Sequence, residues 1–163
     1  MKIAITGHTA GIGQALAEVY YGNEIIGLST REGNNIRNTP KIAGLIEPCD
    51  MFINNAQAGF AQTELLFEIH RRWANTNKHI VVISTMMAQH PVSVIEGMDE
   101  YRLQKVALEE AAHQLRYKNP EGPRITLVRP GRVENPELWA RTLVGLFRMA
   151  EANGLTIPDI SLT

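Results

Sequence analysis

Short apolar, β-branched runs alternate along this chain with amphipathic stretches of helical period. The runs Lys2–Thr6, Glu24–Ser29, Met51–Asn54, His79–Ser84 and Arg124–Val128 predict strands, and a further short strand is expected near Leu155–Ile160. Between them the pattern predicts helices over Gly11–Tyr21, Thr39–Glu47, Thr63–Ala74, Glu100–Lys118 and Pro136–Asn153. Strands that are apolar on both faces and separated by helices suit a parallel sheet covered on both sides. The expected fold class is therefore α/β, a doubly wound parallel sheet in three layers, as a single domain over residues 1–163. One strand is shrunken. Between Arg31 and Thr39 stands only the polar segment Gly33-Asn34-Asn35-Ile36-Arg37-Asn38.

Composition narrows the function classes. With 44% hydrophobic and 20% charged residues, the chain can bury a core and does not read as disordered. The net charge of −1 supplies no electrostatic footprint for nucleic acid or an anionic membrane. No apolar run approaches the ~18 residues needed to span a bilayer. The opening Met1–Gly7 reaches a glycine turn too early for a secretory leader. The lone Cys49 excludes an internal disulfide framework and a multi-thiolate metal site, and it fits a reducing compartment, so a cytoplasmic location is expected. His8, His70, His79, His90 and His113 have no metal-ligand spacing, and no metal is expected.

Two segments carry chemistry. The first strand runs into Thr6-Gly7-His8-Thr9-Ala10-Gly11-Ile12-Gly13 and then into a helix. A glycine-rich strand-to-helix turn lets backbone N–H groups face a pyrophosphate while the helix dipole favours its charge. Gly7 would make the tight turn, Gly11 would allow close backbone approach, and Gly13 would let helix and sheet pack. His8 in this turn is placed to touch a bound nucleotide. The second segment is Tyr101-Arg102-Leu103-Gln104-Lys105. Its tyrosine and lysine are four apart on a predicted helix and share a face. A phenol titrates near pH ~10 when free, and a neighbouring ammonium favours phenolate, which makes tyrosine a usable general acid or base.

With these motifs in order, the chain resembles the short-chain dehydrogenase/reductase family. The matching pieces are T-G-x-x-x-G-I-G at Thr6–Gly13, Asn54-Asn55-Ala56, Ser84-Thr85, Tyr101-x-x-x-Lys105 and Pro130-Gly131. The resemblance covers nearly the whole chain and implies a Rossmann sheet with a nicotinamide cofactor. It assigns Tyr101 to proton exchange with a carbonyl or alcohol oxygen, and Lys105 to the nicotinamide ribose. Ser84 or Thr85 would hydrogen-bond the substrate oxygen, Thr85 being the better match. Cofactor contacts would come from Thr6, Gly7, His8, Thr9, Gly11, Ile12 and Gly13, then from Asn55, Ala56, Lys105, Pro130, Gly131 and Val133. Arg31 closes the second strand where no acid is available for a ribose 2′-hydroxyl, so NADP(H) is expected over NAD(H). Asn35 and Ile36 would flank the adenine.

The family pattern is also broken. Gln57 stands where the family has glycine, Asn135 where it has a threonine near the nicotinamide amide, and Gln62 is the nearest match to a helix asparagine. Asn135-Pro136-Glu137 reads equally well as a helix N-cap. The chain is short for the family, with little substrate lid.

The expected function is hydride transfer between NADP(H) and a small carbonyl or alcohol. The alternative is a non-catalytic dinucleotide-binding redox sensor or regulatory protein. On the helix Glu100–Lys118, Tyr101, Leu108, Ala111, Ala112 and Leu115 form the face expected on the sheet, with Lys105 and Glu109 in a polar band beside it. Leu103, Val106, Ala107 and Tyr117 make a second apolar stripe, so a homodimer or homotetramer through this helix is expected unless Leu155–Thr163 covers it.

Overall fold

The computed structural model describes residues 1–163. The elements run β1 (Lys2–Thr6), α1 (Gly11–Val19), β2 (Glu24–Leu28), α2 (Thr39–Ile46), β3 (Met51–Asn54) and α3 (Ala61–Arg72). They continue with β4 (His79–Ile83), α4 (Asp99–Lys118), β5 (Arg124–Pro130), α5 (Pro136–Ala152) and β6 (Asp159–Leu162). All pairings are parallel, in the order β2-β1-β3-β4-β5-β6.

Period-two alternation assigns each strand residue to a layer. Ile3, Ile5, Met51, Ile53, Val81, Ile83 and Val128 face α1 and α5, joined by Leu16, Leu143 and Val144. Ala4, Phe52, Ile80, Val82, Ile125 and Leu127 face the other way, toward α2, α3 and α4, whose Ile42, Leu65, Leu66, Leu108 and Ala112 complete that core. The result is the expected three-layer sandwich. No helix is long and apolar enough to cross a membrane.

The shrunken strand is absent altogether. After β2 the chain makes a 3-10 turn at Thr30–Glu32, reverses at Gly33 with φ +78°, and enters α2 behind the Asn38 cap. Asn35 accepts from the Arg37 N–H (3.0 Å), so its carboxamide bends the segment back instead of leaving it extended. With no strand outside β2, the chain reverses its winding between β1 and β3. That is the topological switch point, where loops at the carboxyl ends of the strands diverge and leave a crevice.

On α4 the expected face, Leu108, Ala111, Ala112 and Leu115, packs on the sheet. Lys105 and Glu109 belong to that face too, 3% and 6% exposed, rather than to a solvated band. They are tolerated inside because each finds buried partners, described below. Within Leu155–Thr163 the strand Asp159–Leu162 pairs with β5 as part of the sheet, and Leu103 and Tyr117 are left exposed.

Candidate functional site

The switch point brings the glycine turn after β1 against the Asn54–Ala56 segment after β3. Gly7 sits at φ +71° and Gly11 at φ +52°, conformations that favour glycine. A Cβ on Gly13 would lie 2.1 Å from the Gly7 carbonyl oxygen, so the turn folds onto its own helix at a residue with no side chain. Asn55 braces the turn from behind, donating from Nδ2 to the Thr6 carbonyl (3.0 Å). Thr6 Oγ1 accepts from the Asn55 and Ala56 N–H groups (both 3.0 Å). Thr6 is fully buried, so it builds the turn and does not line its open side. Ile12 packs into the α1–α5 core. Helix α1 begins with no side-chain cap, which leaves its first N–H groups facing the crevice.

The crevice has a volume of about 250 Å³ and is lined by Gly7, Thr9, Ala56, Gln57, Arg31 and Ile36, among others. Arg31 is exposed and has no ion-pair partner. Asn34, not Asn35, supplies the lining amide, because the Asx turn at Asn35 rotates that side chain away. His8 lies flat over Gly27, where a Cβ would come within 2.3 Å of the ring, and its Nε2 is 3.4 Å from Glu32. Its buried Nδ1 has no protein partner. Gln57 is drawn to Gln104 of α4 by a short amide–amide hydrogen bond. The turn, the uncapped helix and the free arginine fit a dinucleotide phosphate.

The second half of the site meets at the end of β4. Lys105 donates to Gln62 Oε1 (2.8 Å) and to the Ile83 carbonyl (3.0 Å). Gln62 itself donates from Nε2 to the Asn54 (2.7 Å) and Ile83 (3.0 Å) carbonyls. This buried amide ties β3, β4 and α4 together. Burial pulls the Lys105 ammonium down to about 8, partly offset by Glu109. The ammonium sits over the Tyr101 ring, 5.6 Å from its centre. The phenol is accordingly raised by burial, with the Thr85 hydroxyl drawing it back in part, instead of being lowered by Lys105. Two of the three ammonium protons are taken, which leaves one for another acceptor.

Ser84 and Thr85 diverge. Ser84 is buried and donates to Glu109 Oε1 (2.6 Å), whose Oε2 accepts from Gln89 Nε2 (3.0 Å) and Arg129 Nε (2.9 Å). Thr85 faces Tyr101 and caps the 3-10 turn Met86–Gln89. Pro130 ends β5. Gly131 donates to the Leu162 carbonyl (2.8 Å) and packs against Thr163, and Val133 joins the α1–α5 core. Asn135 accepts from the Leu138 N–H (3.0 Å), the cap reading of that residue. The sequence reading missed Glu109 and Asn34. Glu109 had a signal, since it lies four residues beyond Lys105 on the same helix face.

No family model matches the chain, and a search of curated proteins finds no match. Solved structures do match. A short-chain dehydrogenase/reductase from Vibrio parahaemolyticus is similar at 18% identity and TM-score 0.79, covering 98% of each chain. An alcohol dehydrogenase from Thermococcus sibiricus, complexed with 5-hydroxy-NADP, is similar at 15% identity and TM-score 0.74, covering 99% of this chain and 95% of that one. A short-chain dehydrogenase from Burkholderia cenocepacia J2315, in complex with NADP, is similar at 13% identity and TM-score 0.74, covering 99% and 87%. At such identities the likeness is one of fold, and over nearly its whole length this chain resembles the short-chain dehydrogenases/reductases.

Proposed function

We propose that the protein is a short-chain oxidoreductase that transfers hydride between NADP(H) and a small carbonyl or alcohol. The observation that carries this reading is the grouping of Tyr101, Lys105 and Thr85 at the end of β4, beside the glycine turn at the switch point. The nicotinamide, when bound, would supply the hydride in reduction and accept it in oxidation. Thr85 orients the substrate oxygen toward Tyr101, and the Tyr101 hydroxyl gives that oxygen a proton in reduction while its phenolate takes one in oxidation. A phenol raised by burial stays protonated at neutral pH, the form from which reduction starts. Lys105 would use its remaining N–H on a ribose hydroxyl. Gln62 holds the ammonium in place, and Asn55 holds the turn that receives the pyrophosphate.

A dinucleotide sensor without turnover is the second reading. It is favoured by the inward commitment of Lys105 to Gln62 and Ile83 and by the side chain of Gln57 at the crevice. The two readings share the cofactor and separate on turnover alone.

Arg31 is the residue proposed to select the phosphorylated cofactor. Fluorescence titration should show NADPH binding more tightly than NADH, and Arg31→Ala should weaken NADPH by about tenfold while leaving NADH within about twofold, as expected for one charge-assisted contact to phosphate. Equal or tighter NADH binding to the wild type would remove the assignment.

We also propose assembly through α4, whose Leu103 is 56% and Tyr117 90% exposed. Light scattering at micromolar concentration should report a dimer or tetramer of the 18.1 kDa chain. Leu103→Glu combined with Ala107→Glu should release monomers, and an unchanged mass would put the interface elsewhere.

A further inference from the structure

At the opposite end of the strands from the glycine turn lies a larger cavity, of about 700 Å³. That volume falls within the ~300–1,000 Å³ typical of small-molecule sites. Its floor is made by the starts of β3, β4 and β5 at Met51, His79 and Ile125. Val144 and Phe147 of α5 form one wall, and the turn before β6 closes the side.

The polar groups lining this cavity are not used up by the fold. Thr126 Oγ1 lies 2.9 Å from His79 Nε2 and donates its own proton to the Ile157 carbonyl (2.9 Å). His79 Nε2 must therefore be the donor to Thr126, so Nδ1 is a bare acceptor with no protein partner. The ring stands edge-on to Phe147 at 5.5 Å, and burial with nearby Arg124 holds its pKa down at about 4, keeping it neutral. Tyr20, 5% exposed, lines the cavity with a hydroxyl that no side chain or carbonyl engages, and burial pushes it up to about 12. At the mouth, Arg124 and Arg148 are exposed and have no carboxylate within ion-pair distance.

The remaining charged side chains differ in what holds them. Lys78 donates to the Glu47 carbonyl (2.7 Å) and covers the Trp73 ring, while Arg116 pairs with Asp159 (3.2 Å). Asp50 accepts from the Lys2 backbone N–H (2.7 Å). Glu151 alone among the lining acids is unpartnered, less than one helical turn beyond Arg148. Counted by ion pairs, Lys78, Arg124 and Arg148 stand against Asp50 and Glu151, and the one net positive charge favours a ligand with a single negative charge over a di- or triphosphate. The aromatic and aliphatic interior favours an apolar body.

We propose that this cavity is a second binding site, separate from the dinucleotide crevice, for a small aromatic monocarboxylic acid. Its carboxylate would lie on Arg124 and Arg148 and its ring against Phe147 and Val144, with an N–H or O–H on the body donating to His79 Nδ1. The site shares β4 and β5 with the candidate active site and shares no lining residue with the crevice at the glycine turn.

Indole-3-propionate carries all three features and is the probe. Calorimetric titration of the whole chain should give saturable 1:1 binding with Kd below about 1 mM, a range a ligand of this size reaches without exceptional contacts. Arg124→Gln with Arg148→Gln, both at exposed positions with no ion pair in the fold, should weaken binding by about tenfold or more. The uncharged amide of the probe should bind the wild type similarly less well, and saturating NADPH should leave the acid's affinity within about twofold. A flat titration, equal binding to the double variant, equal binding of the amide, or displacement by NADPH would each overturn the proposal.

Discussion

Tyr101→Phe should lower turnover by roughly two to four orders of magnitude while leaving NADPH affinity within about twofold, because it deletes one oxygen whose use is proton transfer. The phenol is half-buried and has no acceptor of its own in the fold, so the variant should melt within a few degrees of the wild type. Steady-state rates of NADPH oxidation with a carbonyl substrate, set beside a binding titration, read both quantities. Comparable rates in the two proteins would dismiss the mechanism and leave the sensor. The neighbouring hydroxyls divide in the same experiment. Thr85→Val should cost turnover with little loss of stability, whereas Ser84→Ala should show the reverse balance, since Ser84 is occupied by Glu109 at 2.6 Å.

Glu109→Ala should destabilise the fold by about 3–5 kcal/mol, the penalty for stranding a buried cation when its partner is removed. Arg129 is 9% exposed and loses its close carboxylate, keeping only Asp159 at 3.7 Å, while Ser84 and Gln89 lose their acceptor. For a domain of this size that corresponds to a fall of roughly 10 °C in melting temperature. Glu109→Leu combined with Arg129→Met should lose less than Glu109→Leu alone, because the pair leaves together. Additive losses in urea melts would mean that the ion pair is not what holds these side chains. The consequence reaches the site: Ser84 adjoins Thr85, and Glu109 is one turn from Lys105, so this carboxylate fixes the β4 end against α4.

The architecture was legible because it rests on short-range signals. Apolar runs such as Ile80–Ile83 are long enough for one strand and too short for a helix, and Asn135, just ahead of a proline, marks a helix start that the structure reproduces with a side-chain cap. The glycine turn was legible because Gly7 and Gly13 do what only glycine can do there. What escaped the sequence depends on packing between distant segments. That Lys105 turns inward follows from Gln62 being 43 positions away in sequence and from a carbonyl at Ile83 left without a strand partner. Periodicity put Lys105 and Glu109 at the border of the buried face, and only their partners decided on which side they fall. Asn34 and Asn35 are chemically identical, so the choice between them lay in an Asx turn that composition does not encode.

The sheet ends at β2, and this has a bearing on how the protein behaves at high concentration. One edge of Glu24–Leu28 is bonded to β1, and the other offers its N–H and C=O groups to any extended chain that meets it. Three features limit that hazard. The strand is only five residues long, Glu24 puts a charge at its start, and Gly27, pinned under the His8 ring, makes a poor template for side-chain stacking. The 3-10 turn at Thr30–Glu32 then carries the chain out of the plane of the sheet. Resistance to edge-to-edge fibre growth in this molecule therefore depends on brevity, one carboxylate and one glycine, where a sheet one strand wider would have buried the same backbone.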